Sequence, residues 1–198
     1  METQSVTLTI KARQGCMFSV DWVSAMTRMY LRFAEGMGFT SKFNEFRYVY
    51  TPQQMSAYQN YYDYVMLTIT GNTGVNLFEL FQSEVGRHHL CDELQTSQTP
   101  FYPPGIVYHA FADVTVSLAV QESKLSNDDI KETFNESFHN ESELLVNFQN
   151  QIRTYSAFPM QFVKDHRTGH EEKDYQKVVD GHKLLPFMKA FEHSKSEH

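Results

Sequence analysis

Hydrophobic and polar residues follow two clear periods near the N-terminus. They alternate over residues 7–12, which predicts a β-strand. Ser19 or Asp21 is then suited to cap a helix, and Gly36 and Gly38 are suited to end it. Within that helix, large apolar side chains recur every three or four residues: Trp22, Met26, Met29, Tyr30 and Phe33. Such a stripe is typical of a helix face that packs on a sheet, so we predict that it belongs to the core.

Short apolar runs predict further strands over residues 43–50, 65–69, 77–81 and 114–120. Pro52 interrupts the first of these runs, because proline cannot donate to a strand ladder.

Length and composition favour one compact unit without a membrane span. The chain has 198 residues, of which 41% are hydrophobic, and no apolar run approaches spanning length. The first residues alternate and carry no basic segment or apolar stretch, so they indicate a strand and not a signal peptide. Cys16 and Cys91 have no metal-binding spacing and are interpreted as reduced thiols in a cytoplasmic protein.

The charge of the chain limits which partners it can bind. A net charge of −7 opposes binding to RNA, whose affinity for proteins comes largely from lysine and arginine. Acidic residues crowd residues 122–143, whereas several basic residues follow them: Lys164, Arg167, Lys173 and Lys177. Any contact with RNA is therefore expected to be local.

Motifs for enzymatic chemistry are missing from the sequence. His88 and His89 lie beside Cys91, but adjacent histidines on a strand point to opposite faces, and no HxxxH or CxxC pair accompanies them. The sequence contains no GxSxG, P-loop or dinucleotide fingerprint. We therefore predict no catalytic residue, no metal site and no cofactor.

Four segments, in the right order, resemble one protein family. They are residues 8–39 (LTIKARQGCMFSVDWVSAMTRMYLRFAEGMGF), 81–90 (FQSEVGRHHL, with Glu84, Gly86, His88 and Leu90 at the family's positions), 149–169 (QNQIRTYSAFPMQFVKDHRTG) and 178–191 (VVDGHKLLPFMKAF). Together they resemble the bacterial class-1 peptide chain release factors that read UGA and UAA. The acidic residues 127–135 (NDDIKETFN) are the last similar point before the chain would enter that family's catalytic domain.

The resemblance implies a fold and a domain organisation. It implies an α+β protein, with a mixed β-sheet packed with helices, as in the codon-recognition superdomain of release factors. Residues 1–121 would form the codon-recognition-like domain, and residues 122–143 an acidic connector in place of the catalytic domain. Residues 144–198 would pack back on the first domain with a returning strand and a terminal helix at residues 185–191, where Pro186 is tolerated in the first turn. The chain contains no Gly-Gly-Gln, and the family's N-terminal helical domain is also not matched, so we expect a protein that is not an enzyme.

The resemblance also implies candidate site residues in a loop at residues 88–111. Thr99, Pro100 and Phe101 fall in register with the Ser-Pro-Phe tripeptide that helps the family to read stop codons, and threonine keeps a hydroxyl able to meet a base edge. Tyr108 aligns with a histidine that stacks on a codon base, and His109 with a threonine. The family's two loop arginines are replaced by apolar residues, which removes phosphate anchors. Lys164 and Arg167 are candidate contacts to the RNA backbone.

Two functions from different classes follow. The first is a ribosome-binding protein that occupies the small-subunit decoding site, against rRNA and mRNA, without hydrolysing peptidyl-tRNA. It would modulate or compete in translation termination or rescue, and a short acidic derivative of this kind would suit a phage or mobile-element gene. The alternative is a repurposed module that binds another RNA or a protein away from the ribosome.

Overall fold

The structure is a computed structural model that describes residues 3–13, 18–48, 62–72, 74–94, 104–119 and 151–196. The acidic connector at residues 122–143 and the candidates Thr99, Pro100 and Phe101 lie outside these ranges, as does Cys16. The strands are β1 (Thr3–Ala12), β2 (Thr40–Tyr48), β3 (Tyr62–Asn72), β4 (Gly86–Glu93), β5 (Val107–Leu118), β6 (Gln151–Ser156), β7 (Phe162–Asp165) and β8 (Glu171–Glu172). The helices are α1 (Phe18–Gly36), α2 (Leu77–Gln82), α3 (Tyr175–Val179) and α4 (Leu185–Ser196).

The described strands form one mixed sheet in the order β2-β3-β1-β5-β4-β6-β7-β8. Neighbouring strands are antiparallel except β4 and β6, which run parallel, with Leu90 opposite Tyr155. The C-terminal segment thus continues the sheet begun by the N-terminal part. The predicted α+β class, with a mixed sheet covered by helices, is confirmed.

The core lies between the sheet and α1. Every second residue of β1 is buried, from Val6 to Ala12, and the whole predicted stripe of α1 is buried with it. Burying one such side chain contributes about 1.5–3 kcal/mol.

The predicted helix cap is wrong, because the helix already begins at Phe18. Ser19 lies in its first turn, where its hydroxyl accepts a hydrogen bond from the Phe111 N–H at 3.0 Å.

Residues 77–81 were predicted as a strand, but they form helix α2. The Asn76 side chain caps it by accepting a hydrogen bond from the Glu79 N–H at 3.2 Å, and the Gln4 side chain accepts one from the Leu77 N–H at 2.6 Å. Leu77 and Phe81, one turn apart, are both fully buried. Capping and helical spacing therefore override the apolar run that suggested a strand.

The predicted loop at residues 88–111 is much shorter than expected. Strands β4 and β5 pair from Gly86 opposite Val114 to Glu93 opposite Val107, so both ends of that range, residues 88–93 and 107–111, are strand. Strand β5 is likewise longer at its start than the predicted residues 114–120. The reason is the alternation of β5, in which Ala110, Ala112 and Val114 point to the core.

The C-terminal segment forms a hairpin and a helix. The predicted returning strand is in fact two strands, β6 and β7, with Tyr155 opposite Val163. The predicted terminal helix is confirmed as α4, in which Phe187 and Met188 are buried. No helix in the described part of the chain is long and apolar enough to cross a membrane.

The described helices lie on one face of the sheet, which we call the helix face. Helix α1 contacts β1, β3 and β5, and the turn after α3 approaches α1 so closely that a Cβ on Gly181 would lie 2.6 Å from the Met29 carbonyl oxygen. On the opposite face, which we call the open face, no described helix packs. It carries His89 and Phe111, since their strand neighbours His88 and Ala110 are buried on the helix face.

Candidate nucleic-acid interface

The β4–β5 hairpin ends in a fixed stem. Leu94 N–H donates to the Ile106 carbonyl at 2.9 Å, and Gly105 N–H donates to the Leu94 carbonyl at 2.8 Å. Gly105 has a φ of 84°, a left-handed conformation that favours glycine. The paired strands thus continue to Leu94 and Gly105, and the predicted tripeptide in residues 95–103 lies outside the described residues.

Tyr108 lies next to the stem on the helix face. Its ring stacks on Phe18 with a centroid distance of 4.2 Å, and its hydroxyl donates to Asp92 Oδ2 at 3.3 Å. Burial, together with the nearby Asp92 carboxylate, raises the pKa of Tyr108 well above its ordinary value. Only part of this ring therefore faces solvent.

His109 lies on the open face and ends a column of flat side chains, which we call the histidine column: His109, His89, Phe111 and Arg13. His109 and His89 have centroids 5.1 Å apart, and His109 Nδ1 lies 2.9 Å from His89 Nε2. His89 also stacks on Phe111 at 4.7 Å with an angle of 10°, and the Arg13 guanidinium lies 5.9 Å from the Phe111 ring centre. Burial lowers the pKa of His89 to about 4, helped by the charges of His109 and His166. His89 is therefore neutral at pH 7.

Polar side chains continue the histidine column across the open face. Gln151 Nε2 lies 3.3 Å from His89 Nδ1 and donates to Thr154 Oγ1 at 2.8 Å. Thr154 Oγ1 lies 2.7 Å from His166 Nε2. The sequence argument missed these residues, although alternation along β4 and β6 was the signal that could have placed them on one face. No three metal-ligating side chains come together among the described residues.

The two predicted basic contacts have different environments. Lys164 lies on β7, about half exposed, with Nζ 3.9 Å from Glu171 Oε2. Arg167 instead binds within the protein, since its guanidinium contacts the Asp165 carboxylate, the Ser83 carbonyl and the Phe191 ring. Ser83 precedes the start of β4, and that eight-residue strand extends about 25 Å to the stem. The structure therefore does not bring Arg167 together with Tyr108 and His109.

A buried ion-pair network lies behind the hairpin on the helix face, and we call it the Arg153 network. Arg153 donates to Glu84 Oε1 and Oε2 at 2.8 and 2.9 Å, and to Asp165 Oδ2 at 3.2 Å. All three side chains are fully buried. Burial alone would raise the pKa of Glu84, but Arg153 outweighs it and holds this pKa below its ordinary value.

Two neutral side chains complete the Arg153 network. Tyr30 donates its hydroxyl to Glu84 Oε2 at 2.9 Å. His88 Nε2 lies 2.9 Å from the Glu84 carbonyl oxygen, and burial lowers the pKa of His88 to about 4. The network joins α1, β4, β6 and β7, so it fixes the hairpin against the C-terminal segment.

These elements define a class of protein: an α+β fold whose described helices lie on one face of the sheet, with a β4–β5 hairpin stem at the end of two central strands. A family model described as the PCRF domain matches residues 1–92. Peptide chain release factor 2 of Chloroflexus aggregans is 50% identical over 44 residues, which are 22% of this chain and 12% of that protein. The chloroplastic peptide chain release factor PrfB1 of Arabidopsis thaliana is 54% identical over 41 residues, which are 21% of this chain and 9% of that protein.

The structural comparison extends over nearly the whole chain. RF2 of Thermus thermophilus superposes with a TM-score of 0.71 at 20% sequence identity, covering 98% of this chain and 69% of that one. At that identity the likeness concerns the fold. The chain is release-factor-like on the basis of this similarity of fold together with the sequence matches to the two relatives, which span about a tenth of the relatives' length.

Proposed function

We propose that the protein binds the ribosome at the small-subunit decoding site and does not hydrolyse peptidyl-tRNA. In that role it modulates or competes in translation termination or rescue. The proposal rests on the similarity to peptide chain release factors that read stop codons, here of the UGA and UAA type. It further assumes a cytoplasmic protein.

One observation carries the proposal: the C-terminal segment completes the sheet by adding strands β6, β7 and β8 beside β4. Strand β6 pairs directly with β4, and the fully buried Arg153 of β6 binds Glu84 from the N-terminal part. A hairpin presented by such a unit keeps its geometry without any domain inserted between residues 119 and 151. The stem can therefore support residues 95–103 for binding without a hydrolytic domain between β5 and β6.

The absence of hydrolysis rests on two properties of the sequence. No Gly-Gly-Gln occurs in the chain, and its nine glycines are all separated from one another. The residues between β5 and β6 are also too few for an inserted domain, which typically needs about 50 residues or more.

The described surface supports local RNA contact beside the stem. His109 is an exposed ring at the end of the histidine column, and stacking of a ring on an unpaired base contributes about 1–3 kcal/mol. Lys164 adds a half-exposed positive charge on the same face. Thr99, Pro100 and Phe101 remain predicted base-edge contacts, and Tyr108 offers the exposed part of its ring.

Two measurements test the proposal. Purified protein is expected to co-sediment with ribosomes through a sucrose gradient and to release no formyl-methionine from stop-programmed complexes. Added in excess, it should slow release by a complete factor. Release at a rate near that of a complete factor would refute the non-catalytic role, and failure to co-sediment would refute ribosome binding.

A second candidate function is binding of another RNA or a protein away from the ribosome. It is favoured by the net charge of −7 and by Arg167, whose partly buried guanidinium is already paired with Asp165 and is therefore a weaker phosphate anchor. Replacing Thr99 and Tyr108 with alanine distinguishes the two functions. A loss of ribosome affinity of about tenfold or more supports the decoding-site role, whereas unchanged affinity in a stably folded variant favours the second.

A further inference from the structure

A small cleft lies on the helix face beside the stem. Its volume is about 290 Å³, and helices α1 and α3 and strands β4 and β5 contribute its walls. Asp21 and Arg28 come from α1, Asp92 and Tyr108 from the hairpin, and Tyr175 from α3. Pockets for drug-sized ligands begin at about 300 Å³, so this cleft suits a single side-chain-sized group.

The charges in the cleft are only partly neutralised. Three carboxylates, from Asp21, Asp92 and Asp180, face the two guanidinium groups of Arg28 and Arg32. Arg32 is paired with Asp180. The cleft therefore retains a negative charge between its tyrosine rings.

In the part of the chain that the structure describes, Asp21 and Asp92 both lack a bonded counter-ion, and Asp21 also lacks a hydrogen-bond donor. Asp92 accepts the Tyr108 hydroxyl, but Asp21 has no hydrogen bond or ion pair within the described ranges. Asp21 is an exposed residue of the cleft lining, and partial desolvation of its carboxylate raises its pKa to about 6, with Arg28 acting in the opposite direction. A cationic ligand at this position would restore the charge balance that Asp21 lacks.

We propose that this cleft binds a guanidinium group. A guanidinium is planar, so it can stack on the rings of Tyr108 or Tyr175, and it can donate two parallel N–H bonds to the Asp21 carboxylate. An ammonium group offers neither the plane nor the fork. An anionic ligand would be repelled by the excess of carboxylates. This site includes none of residues 95–103, but it shares Tyr108 with the proposed ribosomal role, so the variants that test it change Asp21 and Tyr175 and leave Tyr108 in place.

The test is a titration of the full chain, followed by NMR of backbone amides, with N-acetyl-arginine amide as the probe. Saturable shifts are expected at the cleft, with weaker effects from N-acetyl-lysine amide and none from N-acetyl-glutamine amide. Asp21→Asn should raise the dissociation constant at least tenfold. Glu35→Gln removes an exposed carboxylate from the same helix outside the cleft, so it should leave the constant unchanged.

Three results would overturn the proposal: shifts that map elsewhere, equal response to the glutamine compound, or unchanged affinity in Asp21→Asn. Tyr175→Leu removes a ring that α3 contributes to the cleft and provides a second variant should Asp21→Asn alter folding.

The affinity of a pentapeptide with a central arginine distinguishes the two possible sources of the guanidinium group. Binding at least tenfold tighter than the amide indicates an arginine side chain of a partner protein, and equal binding indicates a small guanidinium compound.

Discussion

Replacing Arg153 by methionine should destabilise the protein strongly. Methionine keeps an unbranched apolar chain but leaves the fully buried carboxylates of Glu84 and Asp165 without the three hydrogen bonds that Arg153 donates to them. Breaking a buried ion pair from one side costs about 3–5 kcal/mol, because an uncompensated charge stays behind. Since domains are stable by only about 5–15 kcal/mol, this loss approaches the lower end of the whole stability.

Urea denaturation measures the loss caused by Arg153→Met. With a slope near 2 kcal/mol per molar urea, the midpoint should fall by about 1.5–2.5 M. A matched control is Arg47→Met, which breaks the exposed ion pair with Asp63 and should cost less than about 1 kcal/mol. A midpoint for Arg153→Met as high as that of the control would show that the Arg153 network does not stabilise the fold.

The effect of Arg153→Met should also depend on pH. In the parent, the lowered pKa of Glu84 gives stability that is present above the ordinary carboxyl pKa and is lost as pH falls through the folded value. In the variant, burial without Arg153 raises the pKa of Glu84, so protonation at low pH relieves the buried charge. The two proteins should therefore differ most near pH 7 and converge below about pH 4.5. A constant difference across this range would contradict the assignment of the cost to Glu84.

Two further predictions concern the histidine column and a glycine. His109→Gln should raise the pKa of His89 above its value of about 4, because one of the charges that lowers it is removed. NMR titration of the His89 ring measures this pKa, and an unchanged value would leave burial and His166 as its causes. Gly181→Ala should cost about 3 kcal/mol or more in thermal denaturation, because a φ of 82° and a Cβ 2.6 Å from the α1 backbone both oppose it. Gly169→Ala, at a φ of 72° with nothing within 4 Å, should cost only about 1 kcal/mol, and equal losses would argue against the close contact at Gly181.

Sequence periodicity predicted the elements whose signal is local. The stripe of α1 and the alternation of β1 depend only on neighbours a few residues away, and both lie in the core as expected. The strand prediction for residues 77–81 was wrong because it gave more weight to the apolar run than to the local capping residue Asn76. The second acceptor at the start of the helix, Gln4 of β1, is more than 70 residues away in sequence. Local propensity cannot include such a partner.

The candidate site was predicted less completely than the fold. Tyr108 and His109 were predicted to lie in one loop, and both do lie beside the stem. They are neighbours on strand β5, so their side chains point to opposite faces of the sheet, and a loop assignment could not predict this. Arg167 was taken for a surface cation because its sequence neighbourhood is polar. Its actual partners, Asp165, Ser83 and Phe191, meet only after β7 and α4 have packed.

The parallel pairing of β4 with β6 has a consequence for synthesis of the chain. Strand β4 is translated more than 50 residues before the strand that completes one of its edges. Until then its backbone groups on that edge are unpaired, and Glu84 has been made without Arg153. A nascent chain that pauses before Gln151 thus exposes an open strand edge to other nascent chains. Because β4 and β6 are far apart in sequence, their pairing is a contact of high order. It can form only after the C-terminal segment has left the exit tunnel.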